Sequence, residues 1–218
     1  YTILTTCPDY GSRNVGDKLI EIRTKEMLRR EKGAEEFFTL FREEPLEPHL
    51  DKINSSNAVI MPAFPVRDTP MYPATYRLTE DISEIKVPLI PLGANWNVYP
   101  GDKRSRELVR YSEETTQFLR RISDNVDGLS CREHYTCAVL QKHGITNTVF
   151  TGDPAWFYLP FLGKPVHRPQ QVEKVVFSTP LSPFYVEQAK SIISMITRVF
   201  PDSDRYCAMH LADSSSEN

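Results

Sequence analysis

Short apolar runs rich in β-branched residues alternate along this 218-residue chain with longer stretches whose apolar residues recur at helical spacing. A run with no polar alternate face must be buried on both sides, and a parallel sheet flanked by helices is the arrangement that buries it. Strands are predicted at residues 2–6, 37–41, 58–61, 88–92, 128–131 and 148–150. Helices are predicted at 18–30, with Leu19, Ile22 and Met27 inward; at 105–122, with Leu108, Tyr111, Phe118 and Leu119 inward; and at 133–142, with Cys137, Val139 and Leu140 inward. Gly33 and Gly144 stand just past two of these helices, where a left-handed cap favours glycine. The expectation is an α/β domain over residues 1–159 with a doubly wound, mostly parallel, Rossmann-like sheet.

After Asp153-Pro154 the chain changes character, with Pro160, Gly163, Pro165 and Pro169 within ten residues, which reads as a linker at 160–171. A strand at 174–179, a helix at 185–200 with Ile192, Ile193, Ile196 and Val199 inward, and a strand at 205–209 then begin a second α/β domain over 172–218. That is too little to bury a sheet alone, so the expected whole is a two-domain architecture of the glycosyltransferase-B kind, cut short.

Hydrophobic residues make up 40% of the chain and charged residues 25%, enough for a core and too little charge for a disordered segment. The net charge of −3, with Lys and Arg scattered, argues against a nucleic-acid partner. No apolar run approaches the roughly 20 residues that span a bilayer, and no signal peptide is recognisable. The first residue is Tyr1, inside a strand-like segment, so an upstream leader or anchor stays open. Cys7, Cys131, Cys137 and Cys207 show no CxxC or zinc spacing and read as free, mostly buried thiols, with no metal site. A reducing, cytoplasmic setting is expected, with a membrane-associated or Golgi-lumenal one left open.

Three segments have the chemistry of a site. Residues 7–17, Cys-Pro-Asp-Tyr-Gly-Ser-Arg-Asn-Val-Gly-Asp, follow the first strand and open the first helix, where unpaired N–H groups and the helix dipole favour anions. Gly16 permits close approach there, and Asn14 or Asp17 can equally be a plain N-cap. In Leu129-Ser-Cys-Arg-Glu-His134 a strand runs into a helix, placing Arg132 at the carboxyl edge of the sheet, where open α/β sheets bind ligands. It can grip a phosphate or carboxylate in bidentate fashion, or pair with a neighbouring acid. In Gly152-Asp-Pro-Ala-Trp-Phe157, Asp153 can accept substrate hydroxyls or cap the turn before Pro154.

Taken in order, Asn14-Val-Gly-Asp17, Ser130-Cys-Arg-Glu133 with Leu140 to Gly144, and Asp153-Pro-Ala-Trp156 resemble the polysaccharide pyruvyl transferase family over roughly residues 2–200. The chain departs from the family where a glycine-rich turn commonly follows the middle strand: here it reads Met61-Pro-Ala-Phe-Pro65, so a bulkier acceptor wall is expected in place of a phosphate cradle. The family's Arg-x-His motif lies deeper in the second domain than residue 218, so the chain alone is expected to be inactive.

The resemblance implies transfer of a pyruvyl group from phosphoenolpyruvate to two hydroxyls of a sugar or polysaccharide, as a cyclic ketal, without a cofactor. It implies a donor site at Asn14, Gly16 and Arg132, catalytic roles for Arg132, Asp17 and His134, and acceptor contacts at Asp153, Asn95 and Trp96. Asn97 extends the last group, and Trp96 reads equally as core. His49 and His167 in loops and His143 at a helix end read as surface groups; His134 and His210, near sheet edges, are the histidines able to face a cleft. Two other classes stay open: a nucleotide-sugar glycosyltransferase and a non-catalytic sugar-binding module.

Overall fold

All four residues of the first strand, Thr2, Ile3, Leu4 and Thr5, are buried, and strands pair with it on both sides. The computed structural model describes residues 1–6, 14–67, 71–96, 103–179 and 183–208. In chain order these form β1 (Thr2–Thr5), α1 (Val15–Lys32), β2 (Phe38–Phe41), α2 (Leu50–Asn54), β3 (Val59–Pro62), β4 (Pro65–Val66), β5 (Leu89–Leu92) and β6 (Asn95–Trp96). There follow α3 (Lys103–Leu108), α4 (Glu113–Asp124), β7 (Leu129–Cys131), α5 (His134–Lys142), β8 (Thr148–Phe150), β9 (Lys174–Ser178), α6 (Val186–Val199) and β10 (Asp204–Ala208).

The main sheet is parallel, in the order β2-β1-β3-β5. A parallel bridge from Ala94 to Cys131 brings the parallel pair β7-β8 alongside β5. Short β4 and β6 pair with each other just beyond the ends of β3 and β5. Mixed α/β structure with a parallel sheet is therefore what the alternating pattern dictated. A core of Leu4, Met61, Phe64, Tyr76, Leu119 and Leu129, each at most 1% exposed, fills the unit Tyr1–Leu162. The second compact unit is Gly163–Asn218, in which β9 and β10 pair in parallel.

The helix expected at 105–122 is two helices. Ser112 Oγ accepts the Thr115 N–H at 3.2 Å, and Glu113 and Glu114 follow in the first turn, a start signal that outweighs the continuing apolar spacing. Leu108 is consequently 60% exposed, whereas Tyr111 packs on His143, whose Nδ1 lies 2.8 Å from the Val139 carbonyl. His143 and His49 are thus half-buried rather than surface groups. On α1 the buried face is Ile20, Glu21, Thr24 and Leu28, and Leu19 and Ile22 point to solvent, contrary to the apolar reading. The reason is Glu21: its carboxylate sits between Lys18 at 3.3 Å and Lys25 at 2.6 Å, so a paired charge takes a place on the inner face.

Edge and small-unit positions also depart from expectation. Val149 and Phe150 of β8 are half exposed, since this strand lies at the sheet's edge. In α6, Ile192, Ile193 and Val199 are exposed and only Ile196 is half-buried, because two strands offer too narrow a face to cover the helix. Cys131 is buried, Cys137 half-buried and Cys207 exposed, so the thiols are not uniformly core; Cys7 lies outside the described residues. Gly33, at φ 60°, caps α1, and Gly144, at φ 83°, follows α5, as their placement predicted.

Candidate functional site at the carboxyl edge of the sheet

The ends of β5, β7 and β8 are tied together by backbone and hydroxyl bonds. Ser130 Oγ accepts the Gly93 N–H at 2.8 Å and lies 2.6 Å from Thr151 Oγ1. The Ala94 N–H donates to the Ser130 carbonyl at 2.7 Å, and the Arg132 N–H donates to the Ala94 carbonyl at 2.8 Å. Arg132 therefore leaves the sheet from a fixed backbone, directly before the start of α5. Gly93 is required here twice over: its φ is +61°, and a Cβ on it would stand 2.6 Å from Pro154 Cδ. That close approach brings the Asp153-Pro154 turn over the end of β5.

The turn orients the arginine. Asp153 Oδ1 accepts the Ala155 N–H at 2.9 Å, capping the short 3-10 turn Pro154–Trp156, and Oδ2 accepts from Arg132 Nη1 at 3.3 Å. On its other side Arg132 Nε donates to Glu133 Oε2 at 3.2 Å. Glu133 is held in turn by the Thr136 hydroxyl and by the Trp96 N–H, which donates to Oε1 at 3.3 Å and to Thr136 Oγ1 at 2.8 Å. The guanidinium is thus clamped through Nε and Nη1 while 37% of its side chain stays accessible, and among the described residues Nη2 has no protein partner. With Nε and Nη1 held and Nη2 free to donate, the guanidinium can still meet a carboxylate or phosphate oxygen.

Asn14 Oδ1 accepts the Gly16 N–H at 2.9 Å and caps α1, with Asp17 in the first turn. Helix α1 packs against the Pro154–Trp156 turn, and Arg23 lies over the Tyr158 ring at 4.3 Å. The three motifs thus meet: Arg132, Glu133 and Asp153 by direct contact, and α1 through the turn that Asp153 caps. Asn95 is buried in β6, donating its N–H to the Phe64 carbonyl at 2.9 Å. Trp96 is half-buried, and its Nε1 is buried with no partner among the described residues.

His134 opens α5 but its exposed ring packs on Phe150, 4.1 Å between centroids, away from the arginine's hydrogen bonds. Asn97, His210 and residues 7–13 lie outside the described residues. Phe64 is not a wall for an acceptor: it is fully buried and stacks on Tyr76. Ala63 before it adopts φ 50°, making with alanine the left-handed turn that glycine would make at lower cost.

Cys131 sits beneath this edge, where burial pushes its thiol up from the ordinary value and neighbouring Cys137 adds to the rise; it is no nucleophile. Sequence reasoning missed the roles of Ser130 and Thr136. The signal was the spacing of hydroxyls two residues before the arginine and three after Glu133, a pattern that also occurs in ordinary helix starts. Among the described residues no group of three His, Cys, Asp or Glu could hold a metal, and no helix is long and apolar enough to cross a membrane.

The sequence model of the polysaccharide pyruvyl transferase family matches residues 14–215, nearly the whole length. No curated protein and no solved structure shows significant similarity to the chain. The chain belongs to the polysaccharide pyruvyl transferase family.

Proposed function

We propose that this family member transfers the pyruvyl group of phosphoenolpyruvate to two hydroxyls of a sugar on a glycan or polysaccharide, forming a cyclic ketal. In the reaction one sugar hydroxyl adds to C2 of the donor while the methylene carbon takes up a proton. A second hydroxyl then displaces phosphate from the same carbon, so that one ketal and one phosphate leave. Three demands follow: the donor's anionic groups must be gripped, a proton must reach C3, and the hydroxyls must be aimed at C2.

The observation that carries this reading is Arg132, whose guanidinium is fixed through Nε and Nη1 by Glu133 and Asp153 at the carboxyl edge of a parallel sheet, with Nη2 left to donate. We assign it the donor clamp, with the start of α1 at Asn14, Gly16 and Asp17 completing the donor side. Asp153 then acts chiefly by positioning Arg132, since both its oxygens already accept protein hydrogen bonds. The exposed Trp156, 85% accessible, offers a sugar a stacking face beside it. For proton transfer we assign His134, the histidine nearest to Arg132 in sequence, whose exposed ring packs on Phe150. In this reading residues 1–159 form a doubly wound domain and 172–218 begin a second α/β domain.

The test is phosphate release from phosphoenolpyruvate by the full-length protein with a galactoside or mannoside acceptor, with mass spectrometry of the product. A ketal-modified sugar and stoichiometric phosphate are expected. Turnover of a nucleotide sugar in place of phosphoenolpyruvate would sink the proposal.

A further inference from the structure

Two more arginines stand directly after strands at the same sheet edge: Arg42 after β2 and Arg67 after β4. The Arg42 N–H donates to the Thr5 carbonyl at 3.0 Å, fixing it beside the end of β1. Its side chain is only 11% exposed, yet Nε is buried without a hydrogen bond, the nearest carboxylate oxygen being that of half-exposed Glu43 at 3.7 Å. Arg67 is half-buried, its Nε is likewise buried and unbonded, and no carboxylate among the described residues pairs with it. Both guanidinium charges favour the ionised form of the fully buried Tyr76 hydroxyl, Arg42 through a side-chain hydrogen bond as well, and Arg42 lies 5.9 Å from the ring centroid. Arg42 keeps Glu43 and Tyr76 as partners, yet a buried N–H without a hydrogen bond is costly, and the two unbonded Nε groups at one sheet edge describe a cradle for an anion.

Strand order separates Arg42 from the donor clamp, whereas Arg67, which follows β4 beside β6, stands about two strand steps from it. From β2 to β7 are four strand steps of about 4.8 Å, so the backbones of Arg42 and Arg132 stand roughly 19 Å apart. A three-carbon donor gripped by Arg132 leaves the Arg42 end to the other substrate. We propose that Arg42 and Arg67, backed by the buried Tyr76 hydroxyl, form an oxyanion subsite that holds a carboxylate or phosphate carried by the acceptor glycan. The assignment to the acceptor rests on the donor reading of Arg132; the anion site itself does not.

Calorimetric titration of the full-length protein with a methyl hexuronide, a hexose phosphate and a neutral methyl hexoside tests it, with phosphoenolpyruvate titrated in parallel. At least one charged probe should bind where the neutral one does not, and which one binds identifies the oxyanion. Arg42→Gln and Arg67→Gln should each weaken that binding by at least roughly 30-fold while leaving phosphoenolpyruvate affinity unchanged. Where a Gln variant melts early, Arg67→Lys is measured instead; it keeps the charge but not the planar fork and should still bind weakly. Equal binding of charged and neutral probes, no binding of either charged probe, or wild-type affinity in well-folded variants would overturn the subsite. Loss of phosphoenolpyruvate affinity in the same variants would move it to the donor and overturn the proposal as stated. Charged-probe binding through Arg42 and Arg67 in a protein that never turns over phosphoenolpyruvate would keep the subsite and refute the pyruvyl transfer reading.

Discussion

Replacing Arg132 by alanine removes a guanidinium that touches two carboxylates and, in the proposed reaction, the donor. The two effects separate by magnitude. Glu133 is 32% exposed and Asp153 15%, and the arginine itself is 37% exposed, so loss of these pairs costs about 1 kcal/mol of stability or less. Loss of a charge-assisted grip on a desolvated donor costs on the order of 2 to 4 kcal/mol, roughly 30-fold to 1000-fold in rate. Arg132→Lys should recover little, since an ammonium cannot meet Asp153, Glu133 and a donor oxyanion with one planar fork. Asp153→Asn is the control for positioning: its amide oxygen can still accept the Ala155 N–H, so the turn persists while the partner of Nη1 loses its charge. It should raise KM for phosphoenolpyruvate by roughly fivefold, equivalent to about 1 kcal/mol, with a smaller effect on kcat. Steady-state phosphate release with thermal melting reads all three variants. Near-wild-type kcat/KM and donor affinity in a well-folded Arg132→Ala protein would show that the arginine only braces the turn.

Gly93→Ala puts a Cβ 2.6 Å from Pro154 Cδ at a left-handed backbone position, so about 2 to 4 kcal/mol of stability should be lost, measured by denaturant unfolding; an unchanged midpoint would mean that the turn yields freely. Tyr76 has its hydroxyl pushed up from 10.0 to about 12 by burial, against the opposing pull of Arg42 and Arg67 and with Glu43 adding to the rise. Because the folded pKa is the higher, its contribution is complete below pH 10 and lost as pH climbs through 12. Wild type should therefore lose about 2 to 3 kcal/mol more than Tyr76→Phe across that window, and parallel stability curves would refute this.

The fold was legible wherever a residue's role followed from its neighbours in sequence. Runs such as Ile3-Leu4 and Val59-Ile60-Met61 are apolar on both faces, and that alone requires a sheet covered on both sides. What failed were features decided by partners far along the chain. Glu21 is polar, yet it lies on the inner face of α1 because Lys25 and the Thr5 hydroxyl meet it there. Two-residue β4 and β6 have no pattern of their own and exist because Asn95 reaches the Phe64 carbonyl. The site divides in the same way. Arg132 was visible because an acid follows it and a glycine closes its helix, a local signature of strand, turn and helix. Arg42 and Arg67 obey the same positional rule, an arginine at the first residue past a strand, and are likewise followed by an acid, Glu43 and Asp68, but no helical run closed by a glycine comes after them. Only the sheet order, which sets β2 beside β1 and carries β4 past the end of β3, makes them candidates for one subsite. For a parallel sheet the physically informative position is thus the residue just beyond each strand, because every such residue is delivered to the same edge whatever motif encloses it.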